Sequence, residues 1–130
     1  MARILIIDDD ASIRTAFRPF LERAGHEVIE AKDGRTGIEL HEARPADLVI
    51  TDLYMPGHDG IETIRHLRRQ YPGLKIIAWS GADQTGTMDL REAAQLLGAQ
   101  RTFKKPVDVQ QLLVAVEDLL SSIPKPPPRV

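Results

Sequence analysis

The chain has 130 residues, 42% of them hydrophobic and 28% charged, with a formal net charge of −2 and no cysteine. That length suits one domain with a two- or three-layer core, and the missing thiols exclude disulfides, thiolate metal sites and thiol catalysis. The charge balance leaves no footprint for nucleic acid, and the N-terminal apolar run is too short for a signal peptide or a membrane span, so the expected location is the cytoplasm.

Ile4-Leu5-Ile6-Ile7 is a wholly apolar run ending in Asp8-Asp9-Asp10, which predicts a central strand. A helix follows, because Ile13, Ala16, Phe17, Phe20, Leu21 and Ala24 recur at helical spacing. Gly25 suits its C-terminal cap, and Pro19 inside the pattern predicts a kink. Glu27 to Ala31 is a weaker strand with acids at both flanks, suited to a sheet edge. Gly34 to Ala43 makes a short helix with Ile38 and Leu40 inward, stopped by Pro45.

Asp47 to Asp52 contains the run Leu48-Val49-Ile50, whose lack of alternation marks a strand buried on both faces. It delivers Asp52 into a loop punctuated by Pro56 and Gly57. Asp59 with Glu62 resembles a capping box for a helix with Ile61, Ile64 and Leu67 inward. Arg65, His66, Arg68 and Arg69 are expected on its solvated face. Leu74 to Trp79 is the next buried strand, ending at Ser80-Gly81. The polar loop Ala82 to Thr87 leads to a helix with Leu90, Ala93, Ala94 and Leu97 inward, closed by Gly98. Arg101 to Lys104 is an edge-like strand running into Lys105-Pro106. Asp108 with Gln111 caps a last helix with Val109, Leu112, Leu113, Val116 and Leu120 inward. From Pro124 four of seven residues are proline, predicting an extended, solvated tail.

Five strands alternating with five helices define an α/β domain with a parallel sheet. The first, third and fourth strands are the most apolar and the second and fifth read as edges. The doubly wound order 2-1-3-4-5, the flavodoxin-like three-layer sandwich, places them so. The domain is expected over 1–122 and the tail over 123–130.

In such sheets ligands sit at the carboxyl ends of the strands, where this chain has Asp8 and Asp9, Asp52, Ser80 and Lys105. Crowded carboxylates repel one another and burial raises their pKa values. A divalent cation relieves this, and an all-oxygen set suits Mg²⁺. A carboxylate at such a site can attack phosphorus to form an aspartyl phosphate. The metal, the Lys105 ammonium and the Ser80 hydroxyl could then share the three phosphoryl oxygens. One nucleophile without an obvious base suits acceptance of a phosphoryl group more than turnover. Asp10 is assigned to capping the first helix. His26, His41, His58 and His66 lack metal spacing and are expected at the surface. Trp79 and the phenylalanines are expected as core.

The paired acids Asp8-Asp9, the loop Asp52-x-x-Met55-Pro56-Gly57-x-Asp59-Gly60, Ser80 and Lys105-Pro106 follow one another in the order of the receiver domains of two-component response regulators, which residues 2 to 121 resemble. The resemblance implies that Asp52 accepts phosphate from the phosphohistidine of a sensor histidine kinase or histidine phosphotransfer protein. It implies Mg²⁺ ligated by Asp9, Asp52 and the Tyr54 backbone carbonyl, with Asp8 acting through water. Ser80 and Lys105 would bind phosphoryl oxygens, and the Lys105–Pro106 bond would be cis. Counting from Gly98-Ala99, Thr102 stands where the family usually has an aromatic switch residue. The loop after Ser80 also looks longer than usual. With only the proline-rich tail following, a stand-alone receiver is expected, not an enzyme beyond self-phosphorylation from small phosphodonors and slow autodephosphorylation. Its output would pass to a downstream protein target, without direct nucleic-acid or membrane contact, and a homodimer is left open. Tyr54, two places after Asp52, is expected to overhang the site and slow attack by water.

Two other functions fit parts of the pattern. Asp8-x-Asp10 with Ser80 and Lys105 also resembles the haloacid dehalogenase phosphohydrolases, with Asp8 as nucleophile and Asp10 as general acid. That family needs a further acidic pair after the lysine, whereas Glu117 and Asp118 lie deep in the last helix. A receiver-fold interaction module that is never phosphorylated is the other.

Overall fold

The computed structural model describes residues 2–54, 60–81 and 90–121. Its elements run β1 (Arg3–Ile7), α1 (Ala11–Arg23), β2 (Glu27–Ala31), α2 (Gly34–Ala43), β3 (Leu48–Asp52), α3 (Gly60–Gln70), β4 (Lys75–Ser80), α4 (Leu90–Leu97), β5 (Arg101–Lys104) and α5 (Val109–Ser121). All strands pair in parallel in the order β2-β1-β3-β4-β5. The three apolar strands are central, as expected. None of the helices among the described residues is long and apolar enough to cross a membrane.

Strand alternation builds the two halves of the core, because successive side chains point to opposite faces. Leu5, Ile7, Val49, Ile76 and Ala78 pack with Ile64, Leu67 and Ala94 on the α3 and α4 side. Ile4, Ile6, Leu48, Ile50, Ile77 and Trp79 pack with Phe17, Leu21, Leu112 and Val116 on the α1 and α5 side. All five residues of β3 are buried, which is why that strand shows no polar alternation.

Helix ends follow local chemistry. Asp10 caps α1, its carboxylate accepting from the Ser12 N–H at 2.9 Å. Gly25, at φ +97°, ends the helix. Its N–H donates to the Glu22 carbonyl while the His26 N–H reaches the Leu21 carbonyl, the bond pair of a Schellman cap. Asp108 caps α5 through the Gln111 N–H at 3.1 Å.

The helical faces differ from expectation in detail. In α1 the row Ile13, Phe17, Leu21 meets the sheet, whereas Ala16 and Ala24 are exposed and Phe20 is 39% exposed. An i, i+4 ridge touches a sheet along a narrower line than the stripe drawn from the sequence. α1 continues through Pro19, whose ring is exposed. α5 also buries Ala115 and Leu119. His41 is not a surface residue: it is 2% exposed, its Nδ1 accepts from the Ala46 N–H at 3.0 Å, and its ring stands edge-on to Tyr71 at 4.3 Å. Arg68 is half-buried and donates to the Pro72 and Gly98 carbonyls, each at 2.7 Å. It ties α3 to the end of α4 rather than facing water. His66 is exposed. His58, Asp59, the Ala82–Thr87 loop and the proline-rich tail lie outside the described residues.

Candidate functional site

The chain passes from β1 outward to β2 and returns to β3 beside β1, so the carboxyl ends of β1 and β3 flank the switch point where open α/β sheets bind ligands. Ile7 pairs with Thr51, so the residues that follow emerge side by side. Asp8 and Asp52 are 0% and 3% exposed, and Asp9 is exposed. Acceptor oxygens of Asp8, Asp9 and Asp52 all lie within 4.8 Å of one another.

β4 and β5 bring the remaining groups to the same edge. Asp52 pairs with Trp79, and Ser80 with Lys104. Ser80 is buried at 4% exposure. Its carbonyl accepts the Lys105 N–H at 2.7 Å, and the Lys105–Pro106 bond is cis. The Lys105 side chain runs back across the edge, its Nζ 2.8 Å from Asp8 Oδ2 and 3.6 Å from Asp52 Oδ1.

Asp8 is the most heavily bonded acid. Its Oδ1 accepts from the Asp10 N–H at 2.9 Å, and its Oδ2 accepts both Lys105 Nζ and the Trp79 indole Nε1–H at 2.8 Å. Its N–H donates to Ala31 and its carbonyl accepts from Arg14. Asp52 has less support, chiefly a long 3.4 Å contact from the Tyr54 N–H. Burial pushes the Asp52 carboxyl up to about 6, reinforced by the charge of Asp8 and opposed by Lys105 and the Tyr54 N–H. Such an acid, beside a second buried acid and one ammonium, is short of positive charge. The donor set is all oxygen and fits a hard divalent cation.

Gly60, the first residue of α3, closes the floor. A Cβ there would lie 2.0 Å from the Asp52 carbonyl oxygen, so only glycine lets the helix start so close to β3. Tyr54 is 38% exposed beside the site. Thr102 sits half-buried on β5, paired with Ala78, and its Oγ1 accepts from Gln95 Nε2 at 3.4 Å. Its hydroxyl thus bonds to α4 rather than to the acids.

Trp79 is the partner that sequence reasoning missed. It is fully buried, as expected of core, yet its one polar atom is spent on Asp8. The available signal was an indole N–H on a strand buried on both faces, since such a group needs an acceptor.

The doubly wound fold, with acids and a lysine at one edge of the sheet, places the chain in the class of flavodoxin-like α/β domains. A family model for the response regulator receiver domain matches residues 4–117, and the chain belongs to that family. It is 36% identical over 114 residues to the CAI-1 autoinducer sensor kinase/phosphatase CqsS of Vibrio cholerae, covering 85% of this chain and 16% of the kinase. It is 28% identical over 118 residues to sporulation initiation phosphotransferase F of Bacillus subtilis, covering 91% of this chain and 93% of that protein. A solved receiver domain protein from Clostridium thermocellum superposes with a TM-score of 0.84 at 30% identity, over 93% of this chain and 95% of that one. The chain spans 24% and 50% of the lengths of two further relatives, at 35% and 34% identity.

Proposed function

We propose that this receiver domain accepts a phosphoryl group on Asp52 from the phosphohistidine of a sensor kinase or histidine phosphotransfer protein, in the presence of Mg²⁺. The observation that carries the reading is the convergence of three carboxylates within 4.8 Å beside a single ammonium. Asp9 and Asp52 would hold the metal with the Tyr54 backbone carbonyl, and Asp8 through water. When bound, the cation neutralises the acids and polarises a phosphoryl oxygen. Asp52 forms the new O–P bond as the P–N bond to the donor imidazole breaks, and that nitrogen keeps the electron pair and takes up a proton. Lys105 then turns from Asp8 to a phosphoryl oxygen, and the Ser80 hydroxyl reaches another.

The sensor kinase and phosphotransferase among the relatives favour a place in a histidine–aspartate relay, with output through a downstream protein. The dehalogenase-like reading fares worse, because Asp10 Oδ1 is already engaged by the Ser12 N–H and hydroxyl in capping α1. The unphosphorylated-module reading draws on Thr102 in place of an aromatic residue. Incubation with Mg²⁺ and acetyl phosphate followed by intact-mass measurement separates these readings. Wild type should gain one phosphoryl group and Asp52→Ala none. An unmodified wild type would sink the proposal, and multiple-turnover hydrolysis of a phosphate monoester would revive the hydrolase.

A further inference from the structure

We infer that Trp79 is a positioning residue for the acidic cluster: its indole N–H holds Asp8 in its metal-facing orientation and keeps that buried carboxylate satisfied when Lys105 leaves it. The inference rests on the proposed metal-dependent phosphoacceptance and adds to it a residue with no ionisable group.

Trp79 is 0% exposed and packs at 5.0 Å between ring centroids, tilted 42°, against Phe17 of α1. A ring fixed in this way can offer its N–H in one direction only, and that direction meets Asp8 Oδ2 at 2.8 Å. The same oxygen accepts Lys105 Nζ at 2.8 Å, and the ammonium lies 5.8 Å from the indole centroid. Two donors therefore share one oxygen, and they differ in kind. Lys105 is charged and sits on a flexible stem that must turn to the incoming phosphoryl group. Trp79 is neutral and locked in the core. Once Lys105 moves, Asp8 keeps the Asp10 N–H on Oδ1 and the indole on Oδ2. Without the indole, a fully buried carboxylate would lose its Oδ2 support at that step, and a buried charge without hydrogen bonds is costly. Trp79 thus frees Lys105 to exchange partners. Groups that orient a metal-binding acid from behind commonly change metal affinity by about ten- to a hundredfold when removed.

The test compares Trp79→Phe, which removes the N–H and keeps a ring, with Phe17→Leu, which loosens the same packing and keeps the N–H. Mg²⁺ affinity is measured by calorimetry on metal-free protein. Trp79→Phe should raise the dissociation constant about tenfold, and Phe17→Leu should leave it within about twofold. A Trp79→Phe constant within about twofold of wild type overturns the inference, as does an equal loss in both variants. If Trp79→Phe does not fold, the single indole N–H resonance of wild type decides. It should move in metal-free Asp8→Ala and on Mg²⁺ addition to wild type, and its indifference to both overturns the inference. Failure of wild type itself to bind Mg²⁺ would instead remove the proposed function, and this inference with it.

Discussion

The Lys105 ammonium lies closer to Asp8, at 2.8 Å, than to Asp52, at 3.6 Å. The cation of the site thus rests on Asp8 and leaves the Asp52 carboxylate the less neutralised of the two. Burial first, and then the charge of Asp8, therefore outweigh the lysine and raise the pKa of Asp52 to about 6.

Removing that cation separates its effect on metal binding from its effect on the stability of the metal-free site. Lys105→Met should bind Mg²⁺ a few-fold more tightly, because a competing positive charge is gone. Without metal it should lose about 1–3 kcal/mol of stability, since Asp8 stays buried with one partner fewer. Saturating Mg²⁺ should recover part of that loss by mass action. Urea denaturation with and without the metal reads both effects, and a variant whose deficit ignores Mg²⁺ would contradict the arrangement.

Asp52 sets a pH dependence of definite sign in the metal-free protein. Its folded pKa, raised to about 6, exceeds the ordinary 3.8, so the folded state binds the extra proton between those values. The stabilising contribution is fully present below about 3.8 and is lost as pH rises through about 6. Asp52→Asn, which carries no charge, should therefore exceed wild type in stability by about 2–3 kcal/mol at pH 7, from a shift of about two units. The advantage should vanish near pH 4. Mg²⁺ competes with the same proton, so wild-type affinity for the metal should weaken as pH falls through about 6. Denaturant titrations at both pH values check the first expectation, and calorimetry the second.

His41 gives the opposite slope. Burial holds its pKa below the ordinary 6.5, and its Nδ1 must stay unprotonated to accept the Ala46 N–H. Its contribution is present above 6.5 and is lost as pH falls towards the depressed folded value. His41→Asn should lower stability at pH 7 yet flatten the decline between pH 6.5 and 5. The slope of stability against pH in an Asp52→Asn background, where the acceptor no longer titrates, measures this.

The residues legible from sequence were those whose role depends on position along a strand. Asp8 and Asp9, Asp52 and Ser80 follow apolar runs, Lys105 follows the less apolar edge strand Arg101–Lys104, and in a parallel sheet every strand ends at the same edge. The strand order could be read for a related reason, since the three unbroken apolar runs had to be central. His41, Arg68 and Phe20 were misplaced because periodicity shows which way a helix faces but not what closes over its flanks. Tyr71 comes from the connection after α3 and Gly98 from the end of α4, and no local pattern announces either contact. Trp79 was assigned to core correctly, but its N–H needed the geometry of Asp8 to become meaningful.

Gly60 tests how closely α3 must approach Asp52. An added Cβ would stand 2.0 Å from the Asp52 carbonyl oxygen and 2.8 Å from the Leu53 Cα, and both are backbone atoms of a fully buried strand end. The contact can be relieved only by moving α3 or tilting β3. Gly60→Ala should cost at least about 1–3 kcal/mol, the range of overpacking in a tight core. Because the displaced strand end carries Asp52, acceptance of phosphate from acetyl phosphate should slow by more than the stability loss explains at temperatures where the variant is folded. Denaturation and the rate of mass gain, measured on the same sample, separate the two.

Tyr54 is the remaining residue with a predicted effect on time rather than on binding. It follows Asp52 by two positions and is 38% exposed, and the prediction is that its ring overhangs the path by which water would reach a phosphorylated Asp52. Hydrolysis needs a water in line with the P–O bond, and a side chain occupying that approach lowers the number of productive encounters. Tyr54→Ala opens the approach without removing any of the acids, Ser80 or Lys105. The phosphorylated variant should decay several-fold faster than wild type, with Mg²⁺ affinity within about twofold because the Tyr54 backbone carbonyl is retained. Decay is followed by intact mass after removal of the phosphodonor. An unchanged or longer lifetime would mean that water reaches the phosphoryl group by a path the ring does not guard.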